Sequence, residues 1–552
     1  MTDQRDFFHV LKQKFEQRPL FWIIMLAALV RLIAVVFAKG YLMHDDHFLT
    51  IEPSGSWADG SNFNNWLPGI GNDREHPEPI SFFYLGWLFS FFKLMQWIGI
   101  DQPDAQMFVI RIIHAAYSLL TVYLGYRITE ILGGRKRAVL AGLLLALIAV
   151  LPNFSVRNLV EIVCIPPLMY GFYLIIRSQP FREVSLGAFR FSAIDPVIQG
   201  TTSGGWKKLI LAAFIMGLAV GIRYQTGLLV ALTGLMLWIF SGFTRMLVFG
   251  MISLLAFSIT QADDILLWGG EPFQHLRGYF EYNKKNALNY PGSPFAYFSF
   301  IGLFILPPVS LFLLFGFVRN WRRNALIVIP VIGFIVFHIL YPNRQERFIL
   351  PALPFVVILG VIGWYAWKEK SLFWKNKESL HRGLWRFFWV INTVVMFVFC
   401  FTYSKKGRVE AMDYLYDQGD CRNFALEFTH SDHGAMMPQF YCGNWSIYYY
   451  WKKGDEPWDY ILNFNHDEAT TGQELRPRLT PNYYLFYDDV DLESRVAHIR
   501  QYYPSLTYLT TIESGWFDQL LHQLNPKNSL EKIHIFKVPD LNDPANGKLP
   551  PR

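Results

Sequence analysis

The run Met43-His44-Asp45-Asp46-His47-Phe48-Leu49-Thr50-Ile51-Glu52-Pro53 places three carboxylates and two imidazoles just beyond an apolar segment. Adjacent carboxylates such as Asp45 and Asp46 can supply a general base, which must lie within hydrogen-bond reach of the proton it removes. A solvated acidic loop is the plainer reading of the same residues. Metal binding by His44, Asp45, Asp46 and His47 is a third and weaker reading. Adjacent ligands rarely all point at one ion, and no further His/Cys pair has zinc spacing.

A second concentration runs from Tyr341 to Pro354 and contains Arg344, Glu346 and Arg347 between two apolar stretches. Charges at such a boundary are expensive unless they are paired or used. The planar fork of an arginine matches phosphate oxygens. Snorkelling by one arginine, with a salt bridge from the other to Glu346, explains the same spacing. Smaller groups are Arg157-Asn158 with Glu161, Arg223-Tyr224-Gln225, and the loop 263–294. That loop carries Asp263, Asp264, Arg277, Asn283, Lys284 and Lys285, then Tyr290-Pro291-Gly292-Ser293-Pro294. Singly each reads as an ordinary loop residue; together they fall on one side of a common barrier.

That barrier is a bilayer. Of 552 residues, 52% belong to the AVILMFWYC set and only 17% are charged. A soluble chain would carry about a quarter charged residues. Apolar runs near the roughly 20 residues needed to span fall at 20–39, 107–131, 138–152, 161–176, 208–222, 226–241, 246–262, 295–317, 324–341, 348–366 and 387–403, about eleven in all. Arg31 and the length of the first run argue against a cleaved signal peptide. The apolar stretch 79–99 is read as an interfacial helix anchored by Trp87, Lys93 and Trp97.

Basic clusters set the orientation. Arg135-Lys136-Arg137, Arg319 with Arg322 and Arg323, and Lys368 through Lys377 all fall in alternate loops. With those loops cytoplasmic, the loop 40–106 and the tail 404–552 are extracytoplasmic. The net charge of +6 is then topological and gives no support to nucleic-acid binding. The chain reads as a polytopic α-helical membrane domain, 1–403, followed by an extracytoplasmic α/β domain, 404–552. In the tail, strands are expected at 482–487, 506–511 and 532–537, and a helix at 492–503. Cys164 and Cys400 lie in spans. Cys421 and Cys442 share the tail, where a disulfide is plausible in an oxidising compartment.

His44–Pro53 resembles the Pro-Asp-Glu-Tyr-Trp-Gln-Ser-Leu-Glu-Pro motif of glycosyltransferase family 22, the GPI-anchor and N-glycan mannosyltransferases of the GT-C superfamily. Asn343–Pro354 resembles that family's His-Lys-Glu-x-Arg-Phe-x-x-Pro-x-x-Pro motif. Arg223-Tyr224-Gln225-Thr226 is similar to its Arg-Pro-Thr segment. Asn283 with Gly292–Tyr297 is similar to its Asn…Gly-x-x-Pro-Trp-x-Tyr stretch. The motifs occur in family order through residues 20–360. Departures include His44 for Pro, Asp46 for Glu, Leu49 for Gln, Asn343 for His, Arg344 for Lys and Gln345 for Glu.

The resemblance implies an inverting, membrane-embedded glycosyltransferase with a polyprenyl-phosphate sugar donor and a glycan or lipid-linked acceptor. It implies Asp45 as base, with Asp46 second. It places Arg347, then Arg344 and Arg223, on the leaving phosphate, where fixed cations in a water-poor site stabilise developing charge. Glu52, Glu346, Asn283 and Arg157 join them as substrate contacts. No cofactor or metal is expected. The rival reading is a glycolipid transporter or flippase without transfer, against which stands the lack of an internal repeat.

Overall fold

The computed structural model describes residues 13–540 except 65, 69–77, 79, 179, 196–204, 290, 294, 428–435, 446–448, 453–458, 462–480, 527 and 529. Tyr290 and Pro294 of the 290–294 stretch therefore lie outside the described residues. Two compact units divide the chain. The first comprises 1–35, 76–84 and 111–401; the second comprises 36–75, 85–110 and 402–552. The change of character read near Tyr403 coincides with the start of the last piece of the second unit. That unit also takes in most of the loop 40–106.

Long apolar runs form helices because, in hydrocarbon, every backbone N–H and C=O must be satisfied internally. Among the described residues, six helices are long and apolar enough to cross a membrane: Pro19–Phe37, Pro103–Gly133, Gly205–Ile222, Phe243–Leu266, Glu346–Lys368 and Glu378–Cys400. Val160–Ile176, Thr226–Ser241 and Ala325–Leu340 are shorter apolar helices. The single run expected at 295–317 is instead broken: Ala296–Phe304 and Val309–Arg319 meet at 118°. Pro307 and Pro308 withdraw two helix donors at that corner. The run at 138–152 is shortened, with one helix over Arg135–Leu147 and a separate turn at Leu151–Phe154. The stretch at 79–99 is a helix over Phe82–Trp97.

The first unit packs its helices through small residues. A Cβ on Gly316 would run into the carbonyl of Gly360, and one on Gly363 into the carbonyl of Gly316. Helices Val309–Arg319 and Leu353–Lys368 thus touch backbone to backbone, the close approach that small residues permit in membranes. Arg31, 2% exposed, is held by donating to Ser118 Oγ at 2.7 Å and to the carbonyls of Ala27 and Ala146 at 3.3 and 3.2 Å. Ala146 closes helix Arg135–Leu147, so the guanidinium satisfies a helix C-terminus. A short antiparallel hairpin, β1 (Val184–Leu186) and β2 (Phe189–Phe191), joins two helices of this unit.

In the second unit, β3 (Phe424–Glu427), β4 (Tyr449–Lys452), β5 (Asp459–Ile461), β6 (Tyr483–Tyr487), β7 (Thr507–Ile512) and β8 (Ile533–Lys537) form a mixed sheet in the order β5-β4-β3-β6-β8-β7. The central pairs β3–β4 and β3–β6 are parallel, and the outer pairs are antiparallel. β3 and β6 are buried along their length, which suits central strands covered on both faces. Helix Leu492–Arg500 packs Val496 and Ile499 against Tyr484, Phe486 and Phe536. The three tail strands and the helix read from the sequence are all present.

Candidate functional site

The motif residues form two clusters, one in each unit. In the second unit, Asp45–Phe48 is a single helical turn and Ile51–Ala58 a short helix. Asp46 is 3% exposed. Its two carboxylate oxygens accept from the amides of Leu42 and Met43 at 3.0 and 3.1 Å, and its carbonyl accepts from Thr50 Oγ1 at 2.7 Å. Asp46 therefore closes the turn that presents its neighbour. Asp45 is half-buried and points elsewhere, since successive residues of a helix turn diverge.

His47 and Glu52 are both enclosed, at 1% and 2% exposure. His47 Nε2 and Glu52 Oε1 lie 2.9 Å apart, and the same oxygen accepts from the amide of Phe440 at 3.0 Å. The imidazole stacks between Tyr41 and Tyr441, with ring centroids at 5.0 and 5.6 Å. Glu52, read from the sequence as a substrate contact, thus holds residue 440 of the tail against the motif helix. Cys421 and Cys442 are free, buried thiols, so the expected disulfide is replaced by two neighbouring sulfhydryls. A hydrogen bond with Cys442, followed by burial, pushes the Cys421 thiol up.

In the first unit, Glu161 is the centre. It is 3% exposed and accepts from Arg223 Nη1 at 2.5 Å, with Arg347 Nε at 3.5 Å from the same oxygen. Both guanidiniums lie over the ring of Phe348, at 5.1 and 5.6 Å. Arg223 is 6% exposed, yet its Nε and Nη2 find no hydrogen-bond partner among the described residues. One carboxylate therefore faces two guanidiniums in a buried setting, and one arginine keeps donors unspent. Buried donors left open on Arg223 are costly unless a further group completes them.

Glu346 was the carboxylate that sequence spacing paired with these arginines. The structure gives that place to Glu161. Arg344 is directed to backbone. It donates to the carbonyls of Ile339 at 2.8 Å, Pro342 at 3.4 Å and Gly292, tying the 339–344 turn to the bridge between Pro291 and Asn343. Through Nε and Nη1 the guanidinium clamps this loop. Arg157 is 2% exposed, with Nε 3.5 Å from Asn153 Oδ1. Asn283 donates to the carbonyl of Tyr279 at 2.8 Å and accepts at its own carbonyl from Tyr341 at 2.6 Å. It sits on helix Gln274–Asn286 with Tyr279, which Gln225 contacts. Burial raises the Tyr279 phenol to about 12, with Arg223 opposing. Tyr279 is the residue sequence reasoning passed over, and Glu161 was grouped only with Arg157 and Asn158. The spacing of 62 positions between Glu161 and Arg223 carries no periodicity that could have joined them.

A family profile described as the Alg9-like mannosyltransferase family matches residues 22–429. No curated protein sequence matches the chain. Among solved structures, the chain is similar to ArnT from Cupriavidus metallidurans bound to undecaprenyl phosphate, at 12% identity and a TM-score of 0.51, over 95% of this chain and 99% of that one. It is also similar to an oligosaccharyltransferase from Archaeoglobus fulgidus in complex with Zn and sulfate, at 11% identity and a TM-score of 0.50, over 92% of this chain and 72% of that one. Both are GT-C glycosyltransferases, and the likeness is one of fold.

Proposed function

The chain belongs to the Alg9-like mannosyltransferase family and is a multi-pass membrane glycosyltransferase, and from that premise we propose that it transfers a mannose-like sugar, with inversion, from a polyprenyl-phosphate donor to a glycan or lipid-linked acceptor. The observation that carries the donor assignment is Arg223, buried against Glu161 with Nε and Nη2 unspent. Arg347 stands at the same carboxylate. A leaving phosphate gains charge as the sugar departs, and preorganised guanidiniums in a low-dielectric setting stabilise that charge. ArnT, of the same fold, has been solved bound to undecaprenyl phosphate, a ligand of that chemistry.

Asp45 serves as the base that removes the acceptor proton. Asp46, committed to two backbone amides, and Glu52, committed to His47 and Phe440, position it. Asn283, Arg157, Arg344 and Glu346 support the donor side. No metal enters the transfer step. The motif loop and the tail lie on the extracytoplasmic face. The eleven crossings and outside tail of this reading rest on the placement of the basic clusters; among the described residues, six helices and the bent pair are long and apolar enough to cross. The test is binding of a polyprenyl phosphate without sugar to the purified chain. Arg223→Ala and Arg347→Ala should each weaken it at least about tenfold, the loss of one charge-assisted contact, while Asp45→Asn leaves it unchanged. Equal binding by the arginine variants would remove the phosphate assignment.

A further inference from the structure

Residues 263–275 of the first unit carry a second concentration of buried polar atoms that the transfer reaction does not use. Asp263 and Asp264 open the one-turn helix Asp263–Leu266, which ends the apolar stretch Phe243–Leu266 after its main helix Phe243–Thr260. His275 is the second residue of helix Gln274–Asn286. The chain doubles back between them, so that His275 Nδ1 meets Asp264 Oδ1 and lies 3.8 Å from Asp263 Oδ2. The His275 amide also donates to Asp264 Oδ1, at 3.2 Å. One donor atom from each of the three side chains falls within 4.8 Å of the others.

Burial makes this arrangement demanding. Asp264 and His275 are 0% and 1% exposed. Asp264 Oδ2 and His275 Nε2 find no hydrogen-bond partner among the described residues, nor do Trp268 Nε1 and Gln274 Oε1 from the same loop. Buried polar atoms are nearly always satisfied, and a group of them left open points to an ion or water that belongs there. A protonated imidazole would neutralise only one of the two carboxylates, leaving net negative charge at the end of an apolar helix. A divalent cation neutralises both and uses the open carboxylate oxygen.

We propose that Asp263, Asp264 and His275 hold a divalent transition-metal cation, Zn²⁺ by preference, which pins the first turn of helix Gln274–Asn286 to the end of the preceding apolar helix. Two carboxylate oxygens and an imidazole nitrogen suit Zn²⁺ or Mn²⁺. Mg²⁺ favours oxygen and water in an octahedron. Bond lengths of about 2.0–2.2 Å around zinc place ligand atoms roughly 3.4 Å apart, inside the 4.8 Å within which these three atoms already lie. Asp263, whose side chain is 17% exposed, gives the ion a route in, and a solvent molecule completes the sphere.

The test uses the full chain in detergent, stripped with a chelator and titrated with Zn²⁺ or Co²⁺ alone. The wild type should take up metal to equimolar amount, with visible Co²⁺ d–d absorption and a rise in the thermal unfolding midpoint on adding Zn²⁺. His275→Gln and Asp264→Asn should weaken uptake by more than tenfold, and Asp263→Asn by less. Excess Mg²⁺ should not displace Co²⁺. The Co²⁺ spectrum of the wild type is read first, so that an unfolded variant does not decide the matter. A folded wild type without uptake, His275→Gln binding like the wild type, or displacement by Mg²⁺ would each overturn the site.

Discussion

Arg223 and Arg347 differ in how they meet Glu161, and that difference sets separate expectations. Arg223 makes the short ion pair and keeps Nε and Nη2 open, whereas Arg347 approaches through Nε at 3.5 Å. Lysine keeps the charge of either but loses the fork. Steady-state kinetics of Arg223→Lys and Arg347→Lys should therefore show turnover reduced by at least about tenfold; full activity in both would return the pair to a structural role. Glu161→Gln leaves two guanidiniums facing each other without their shared anion. It should lower the stability of the detergent-solubilised protein by about 3–5 kcal/mol, the usual result of breaking a buried pair, with the deficit shrinking when phosphate is added. In the second unit, Asp45→Asn should lose about 10²–10⁴-fold in turnover, as for a general base, and still bind donor. Asp46→Asn should lose thermal stability first, because both its oxygens are spent on amides. The reverse pattern would exchange their roles. Asp413 offers a pH readout: burial, reinforced by Asp104 and Asp417, raises its carboxyl to about 6. A raised folded-state value means that its contribution is present below the ordinary carboxylate range and is lost as pH rises through about 6. Asp413→Asn should accordingly raise the unfolding midpoint at neutral pH and leave it little changed near pH 4. An unaltered midpoint at both would deny the carboxylate this role.

At the scale of elements, helix positions and the tail strands were legible because a bilayer selects long apolar runs and a buried sheet selects β-branched and aromatic ones. Leu492–Arg500 and β6 to β8 fall where the pattern put them. The bend near Pro307 and Pro308 was not read, since the flanking residues keep one continuous hydropathy. Glu161 was not read as the shared counter-ion because a pair across 62 positions is fixed by which helices touch. The clamp by Arg344 was not read for a related reason: spacing shows that an arginine is present, and only the fold shows that its Nε and Nη1 reach the carbonyls of Ile339 and Gly292. The glycine contact between helices Val309–Arg319 and Leu353–Lys368 leads to a stability expectation. Gly316→Leu inserts a side chain where a Cβ already meets the Gly360 carbonyl. It should cost about 1–3 kcal/mol or more, the range for overpacking. Thermal unfolding in detergent measures it, and a wild-type midpoint would mean the helices are free to part.

For the whole molecule, composition alone points to a membrane protein, and the family and the GT-C fold agree with it. Orientation rests on the basic clusters. Single cysteines at Lys136 and Arg322 should be labelled only from the cytoplasm, and cysteines in the tail only from the opposite side. Labelling of the tail from the cytoplasm would require an even number of crossings. The central claim is sugar transfer from a lipid phosphate, and its most direct measurement is incorporation of labelled mannose from a polyprenyl-phosphate donor by the purified protein with a membrane glycan or glycolipid fraction as acceptor. Transfer by the wild type, lost in Asp45→Asn and reduced in Arg223→Lys and Arg347→Lys, is the expected result. Movement of the labelled donor across reconstituted bilayers without any new glycosidic bond would contradict the account and make the chain a transporter.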